Sequence, residues 1–142
     1  MIFIIAAAVI FLDQLTKFIV TKSLILNQQI SVIKGIFSLT LVHNRGAAFG
    51  ILKNQVPLFV FTSIIAVGLI YSELKNKGNR TVYSIALSLI LAGALGNLID
   101  RVFFGYVIDF LDFHVWPVFN VADSAITIGA VLLGVSLLKK KD

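Results

Sequence analysis

The chain has 142 residues, of which 58% are hydrophobic and 13% are charged, and its net charge is +5. A soluble domain is about half apolar and a quarter charged, so this composition indicates one small integral membrane domain, covering residues 1–142. The absence of cysteine excludes disulfides, thiolate metal sites and a cysteine nucleophile.

Four apolar stretches predict membrane-spanning helices, at about residues 2–20, 56–71, 82–99 and 121–138. The first stretch could instead be a cleaved signal peptide. However, no basic residue precedes its apolar run, and Asp13 and Lys17 interrupt it, so we predict a retained span. These two residues are four apart and can form an ion pair, which would stabilise charge in apolar surroundings.

The first long connection predicts a small β segment at about residues 28–52. Apolar and polar residues alternate in Phe37–Leu41, and Ile30–Ile33 is rich in β-branched residues. Lys34-Gly35 lies between them as a turn, so a hairpin is expected. His43–Gly50 then joins polar residues to small ones, a pattern typical of close backbone approach.

The distribution of positive charge predicts the orientation in the membrane. The short segment 72–81 and the carboxyl-terminal tail hold half of the basic residues, namely Lys75, Lys77, Arg80, Lys139, Lys140 and Lys141. The longer connections 21–55 and 100–120 hold only Lys22, Lys34, Arg45, Lys53 and Arg101. By the positive-inside rule both termini are cytoplasmic and both long connections face outward. Because the charge follows topology, no nucleic-acid partner is expected.

Acidic residues are concentrated near the outer end of the third span and in the connection after it. A carboxylate at the bilayer centre costs roughly 2.5–3.5 kcal/mol, which suggests that these residues are used. Asn97, Asp100 and Arg101 are spaced i, i+3 and i+4, so they share a helix face. An ion pair between Asp100 and Arg101 would keep this carboxylate ionised and suit it to a supporting role. Small residues at Ala92–Gly96 would let another helix pack closely.

Asp109 and Asp123 are the candidates for proton chemistry. Asp109 is flanked by large apolar residues, a setting that disfavours the charged form. Asp123 begins the fourth span three residues after Asn120, and a helix cap is its alternative interpretation. Asp112 is expected to be an interfacial polar residue. Two carboxyl groups that share a proton can activate water.

Other functions fit the sequence less well. The motifs of zinc proteases, nucleophile elbows, P-loops and dinucleotide sites are absent, and the histidines lack the spacing of metal ligands. A dyad of Ser124 with Lys17 remains open. A coupled transporter would need polar residues through several spans, but 56–71 has no charged residue. A structural subunit would have no activity alone.

Five ordered blocks resemble the signal peptidase II family, the bacterial prolipoprotein signal peptidases. They are Asp13–Lys17 (D-Q-L-T-K), His43–Gly50 (H-N-R-G-A-A-F-G), Gly93–Arg101 (G-A-L-G-N-L-I-D-R), Gly105–Phe110 (G-Y-V-I-D-F) and Phe119–Ser124 (F-N-V-A-D-S). The resemblance covers nearly the full chain. It implies a mainly α integral membrane protein with four transmembrane helices and a small extracytoplasmic β-cradle between the first and second spans.

The same resemblance implies an aspartyl endopeptidase in which Asp109 and Asp123 are the catalytic pair. The supporting residues it implies are Asn97, Asp100, Arg101, Asn120, Asn44, Asp13 and Lys17. The implied substrate is a diacylglyceryl-modified prolipoprotein, cut just before the lipidated cysteine, and no metal or cofactor is expected. We also expect contact with membrane lipids, inhibition by globomycin, a monomeric state, and a place in the bacterial cytoplasmic (inner) membrane with the active site near the outer leaflet.

Overall fold

A computed structural model describes residues 2–47, 51–76 and 81–138 of the chain. In chain order the elements are α1 (Ile2–Ser23), β1 (Gln29–Ile33), β2 (Phe37–Asn44), α2 (Val56–Asn76), α3 (Thr81–Phe104), β3 (Val107–Asp112) and α4 (Val121–Leu138). Each helix is long and apolar enough to cross a membrane, so the four predicted spans are confirmed. Three helices run past the predicted ends, because polar residues at a membrane surface can continue a helix that apolar residues begin.

Some residues that carried predictions lie outside the described ranges. They are Ala48–Gly50 of the expected β segment and five of the basic residues used for orientation, Lys77, Arg80, Lys139, Lys140 and Lys141. Within the described part of the expected β segment, only the residues of β1 and β2 are in strands, and residues 51–54 form turns.

The third helix is the centre of the bundle and packs against α1, α2 and α4. Its small residues explain this position. A Cβ atom added at Gly93 would overlap the carbonyl oxygen of Ala122, and one at Gly96 would lie 2.6 Å from Asp13 Oδ2. The predicted close packing is therefore confirmed, and it lets polar groups of α1, α3 and α4 meet.

The strands form one antiparallel sheet in the order β1-β2-β3. The predicted hairpin is confirmed: Ile30 pairs with Leu39, and Gly35 provides a left-handed turn residue with φ of 74°. The sequence did not predict β3, which pairs with β2 so that Asn44 lies opposite Val107. This pairing joins the two long connections, so the sheet includes residues from both.

The sheet is attached to the bundle by a small apolar core. Ile108 and Phe110 of β3 and Leu41 of β2 pack with Val20 of α1 and with Leu24, which directly follows that helix. Because successive side chains of a strand point to opposite faces, Asp109 between them points away from this core. The fold thereby directs the Asp109 carboxyl group toward the ends of α3 and α4.

Candidate active site

Asp109 is held in one orientation by two side-chain amides. Asn120 donates from Nδ2 to Asp109 Oδ1 at 2.8 Å, and Asn44 donates from Nδ2 to Asp109 Oδ2 at 3.0 Å. The Asn44 amide is fixed in turn, since its Oδ1 accepts the backbone N–H of Gly46 at 2.9 Å. Asp109 itself is only 2% exposed. This carboxyl group is therefore pre-positioned and largely removed from water.

Asp123 lies in the first turn of α4, where it exchanges hydrogen bonds with Asn120. The Asn120 Oδ1 accepts the Asp123 backbone N–H at 2.9 Å, and Asp123 Oδ2 accepts the Asn120 N–H at 3.3 Å. This reciprocal arrangement is a capping box with Asn120 as the cap. The structure thus places Asn120 at the cap position, while Asp123 takes part in the capping from the first turn of the helix, and its second oxygen accepts from Asn97 of α3.

A third amide connects the two aspartates to the interior. Asn97 donates from Nδ2 to Asp123 Oδ1 at 2.8 Å, while its Oδ1 accepts from Asn120 Nδ2 at 3.0 Å and from Lys17 Nζ at 3.2 Å. Asn120 thus contacts Asp109, Asn97 and the start of α4 together. The two carboxyl groups are therefore connected through the side-chain amides of Asn97 and Asn120, which fix their positions.

Beneath these amides is a buried ionic cluster. Lys17 Nζ lies 2.8 Å from Asp13 Oδ2 and 2.9 Å from Asp100 Oδ2. The predicted pairing of Asp13 with Lys17 is confirmed, and Asp13 also accepts the backbone N–H of Ala122 at 2.9 Å, so it helps to cap α4. Asp100 accepts the N–H of Ile108 at 3.0 Å, which fixes the start of β3. The cluster therefore orients both elements that carry the aspartate pair.

The predicted ion pair between Asp100 and Arg101 is wrong for the described residues, since Lys17 is the partner of Asp100. Adjacent residues of a helix point in different directions, so Asp100 faces α1 while Arg101 faces the cavity described below. The guanidinium carbon of Arg101 lies 5.2 Å from the centre of the Phe59 ring of α2. Arg101 therefore contributes positive charge beside the aspartates.

The two carboxyl groups line one cavity of about 240 Å³. Its wall includes the predicted residues Asn44, Asn97, Arg101, Asp109 and Asp123, and the unpredicted residues Val107, Trp116, Pro117, Ile126 and Thr127. Five of the nine predicted site residues therefore line this cavity, while the other four lie outside its wall and are connected to it by hydrogen bonds and ion pairs, namely Asn120, Lys17, Asp13 and Asp100. A peptide bond and a water molecule are small enough to share such a space.

The environment of Asp109 changes its acidity. Burial, and to a smaller extent the negative charge of Asp123, raise the pKa of Asp109 to about 7, even though hydrogen bonds from Asn44 and Asn120 and the charge of Lys17 oppose the rise. A carboxyl group that titrates near neutral pH can donate or accept a proton under physiological conditions. This is the chemistry that general acid–base catalysis requires.

Three further side chains correct or extend the sequence analysis. Ser124 does not pair with Lys17; its hydroxyl donates to the backbone oxygen of Asn120 at 3.1 Å. Gln14 was missed, although it is a polar residue in an apolar span, and it donates to Asp100 Oδ1 at 3.0 Å. Asp112 accepts from Thr40 Oγ1 at 2.8 Å and thereby ties β3 to β2.

Comparison with known proteins gives consistent results. A family model described as signal peptidase (SPase) II matches residues 5–139. The lipoprotein signal peptidase of Caldanaerobacter subterraneus subsp. tengcongensis is 50% identical over 142 residues, covering 99% of this chain and 97% of the relative. That of Halothermothrix orenii is 47% identical over 134 residues, covering 94% and 92%. A solved bacterial membrane enzyme superposes with a TM-score of 0.94 at 36% identity, covering 99% of this chain and 89% of that one.

Proposed function

The chain belongs to the signal peptidase II family of membrane proteases, and we propose that it uses Asp109 and Asp123 to remove the signal peptide from diacylglyceryl-modified prolipoproteins. Cleavage would occur just before the lipidated cysteine. The observation that carries the proposal is the shared cavity, which both aspartates line and in which amides hold both carboxyl groups. No nucleotide or thiol chemistry is needed.

The two aspartates would divide the proton transfers between them. Asp123, ionised and beside the N–H groups of the first turn of α4, takes a proton from water while the water oxygen bonds to the scissile carbonyl carbon. Asp109, protonated, donates a hydrogen bond to the carbonyl oxygen. When the carbon–nitrogen bond breaks, a proton from the pair passes to the leaving amine. The result is one carboxylate product, one amine product and a regenerated pair.

The depth of the site suits a lipid-anchored substrate. We propose that both termini are cytoplasmic and that the site lies near the outer leaflet of a bacterial inner membrane. The acyl chains of the substrate, held in that leaflet, would keep the cleavage point at this level. The enzyme would act as a monomer, and a cyclic peptide such as globomycin would inhibit it by occupying the cavity.

Lipid dependence is the first test of this function. Purified protein should cleave a diacylglyceryl-modified precursor and leave its unmodified twin intact, because the acyl chains place the scissile bond at the cavity. The products are measured by mass spectrometry, with Asp109→Asn protein as the blank for contaminating proteases. Equal cleavage of both precursors would contradict lipid specificity, and cleavage of neither would contradict the function.

Activity should fall as pH rises through about 7. Asp109 must carry a proton in the active form, and its pKa is raised to about 7, so more alkaline solution removes that proton. We expect kcat/KM for the lipidated precursor to decline roughly tenfold per pH unit above this value. Thermal unfolding over the same range shows whether the protein remains folded. A rate that increases steadily from pH 7 to pH 9 would contradict the assignment.

A further inference from the structure

A second groove, of about 300 Å³, opens from the same cavity at Asp109. The groove and the cavity share the wall formed by Asn44, Gly46, Ala47, Pro117 and Val118, so a chain that occupies one can continue into the other. Its remaining wall comes from the end of β2 and from the segment after it. The mechanism proposed above does not use this groove.

The groove is positively charged. Arg45 and Lys53 line it with exposed side chains, and Asp109 at its inner end is the acidic residue of its lining. The two cations are brought together by close backbone contacts, since the Asn54 N–H donates to the Arg45 oxygen at 3.0 Å. A Cβ atom at Gly46 would lie 3.2 Å from the Cα of Lys53. The backbone conformation of this segment therefore holds the two cationic residues near each other.

His43 completes the wall without adding charge. Its ring stacks on Tyr106 with ring centres 3.9 Å apart. Partial burial lowers the pKa of His43, and the charge of Arg45 lowers it further, so this environment favours the neutral ring. The positive potential of the groove therefore comes from Arg45 and Lys53.

The part of the cavity at Asp123 has a different character. There a larger pocket of about 570 Å³ is reached at Asp123 and is lined by Phe113, Trp116, Phe119 and Ile128. A prolipoprotein shows a similar contrast, because the signal segment before the scissile bond and the acyl chains on the cysteine are apolar, whereas the mature chain beyond that cysteine must pass into water. If each part of the substrate binds where the polarity is similar, the signal segment and acyl chains lie in the apolar pocket at Asp123. The mature chain then lies in the charged groove at Asp109.

We infer that the groove lined by Arg45 and Lys53 is a subsite for the first residues of the mature chain after the lipidated cysteine, and that it favours acidic side chains there over basic ones. This inference rests on the proposed function and adds a specificity to it. The attraction is electrostatic and acts between exposed groups, so it should weaken as salt is added.

The test uses three diacylglyceryl-modified precursors that differ only at the second and third residues after the cysteine, which are Glu-Glu, Gln-Gln or Lys-Lys. The enzyme is placed in zwitterionic lipid, so that the membrane itself does not select charge. We expect kcat/KM to follow the order acidic, neutral, basic, with roughly a tenfold range that resides in KM. In Arg45→Gln/Lys53→Gln protein the range should shrink to about twofold.

The matched control is Lys22→Gln/Lys34→Gln, which removes the same charge from exposed positions outside the groove and should keep the preference. Equal rates for the three precursors with wild-type protein, or a preference that survives in Arg45→Gln/Lys53→Gln protein, would overturn the inference and leave the proposed function intact. If Arg45→Gln/Lys53→Gln protein is inactive, the inference is tested by the order of kcat/KM among the three precursors in wild-type protein and by whether high salt removes that order. Wild-type protein that cleaves none of the precursors would refute the proposed function itself.

Discussion

Asp109→Asn and Asp123→Asn should each abolish cleavage of a lipidated precursor, lowering kcat/KM by roughly ten-thousand-fold or more. An asparagine at either position keeps the shape and part of the hydrogen bonding but can neither take a proton from water nor donate one as an acid. In the proposed mechanism the two groups act as a unit, so loss of either one should remove the whole proton-transfer function. The measurement is single-turnover cleavage with enzyme in excess.

Both variants should remain folded. Burial raises the pKa of Asp109, which means that the folded state disfavours its ionised form, so a neutral amide there does not weaken the fold near neutral pH. Asp112→Asn is the matched control, since it changes an aspartate of the same strand whose carboxylate is bonded to Thr40, and it should retain cleavage. Near-normal turnover by either catalytic variant would show that the pair is wrongly assigned.

Lys17→Met should be the most destabilising single change near the site. Lys17 is 1% exposed and lies between the carboxylates of Asp13 and Asp100, so its loss leaves two buried negative charges without their cation. Breaking such a cluster costs about 3–5 kcal/mol, which for a chain of this size corresponds to a fall in Tm of roughly 10 °C. Thermal unfolding in a fixed detergent or nanodisc measures it.

The control for this change is Lys22→Met, which removes an exposed lysine from the same helix and should shift Tm by no more than about 2 °C. Asp100→Asn should give an intermediate loss of stability, because Lys17 keeps Asp13 as its partner. For this variant, the loss of stability should be larger, as a free energy, than the change in the activation free energy of the cleavage step. An unchanged Tm for Lys17→Met, or an unchanged Tm with a lost chemical step for Asp100→Asn, would contradict a mainly structural role for the cluster.

Features that depend on nearby residues could be predicted from the sequence. Apolar runs of spanning length gave the four helices, and alternation around Lys34-Gly35 gave the hairpin of β1 and β2. Spacing along a helix placed Asn97 and Asp100 on one face. The pairing of Asp13 with Lys17 follows from a separation of four residues. In each case the pattern and the contact lie within one element or one turn.

Features that depend on distant parts of the chain could not be predicted in this way. The pairing of β3 with β2 joins residues more than sixty positions apart, and nothing in Val107–Asp112 alone specifies its partner. Asp100 forms its ion pair with Lys17 and not with Arg101 because of the way α1 packs against α3. The basic groove likewise forms only when the first long connection folds against Pro117 and Val118 of the second. In the sequence alone, Arg45 and Lys53 therefore cannot be distinguished from other basic residues of an outward-facing connection.

The proposed sharing of a proton by Asp109 and Asp123 can be tested directly by infrared titration of the protonated carboxyl band. We expect a band in wild-type protein that disappears as pH rises through about 7 and that is absent from Asp109→Asn. In Asp123→Asn the band should titrate at lower pH, because a neighbouring negative charge is gone. A titrating band that is the same in wild-type and Asp109→Asn protein would contradict the central claim that Asp109 and Asp123 form one proton-sharing site.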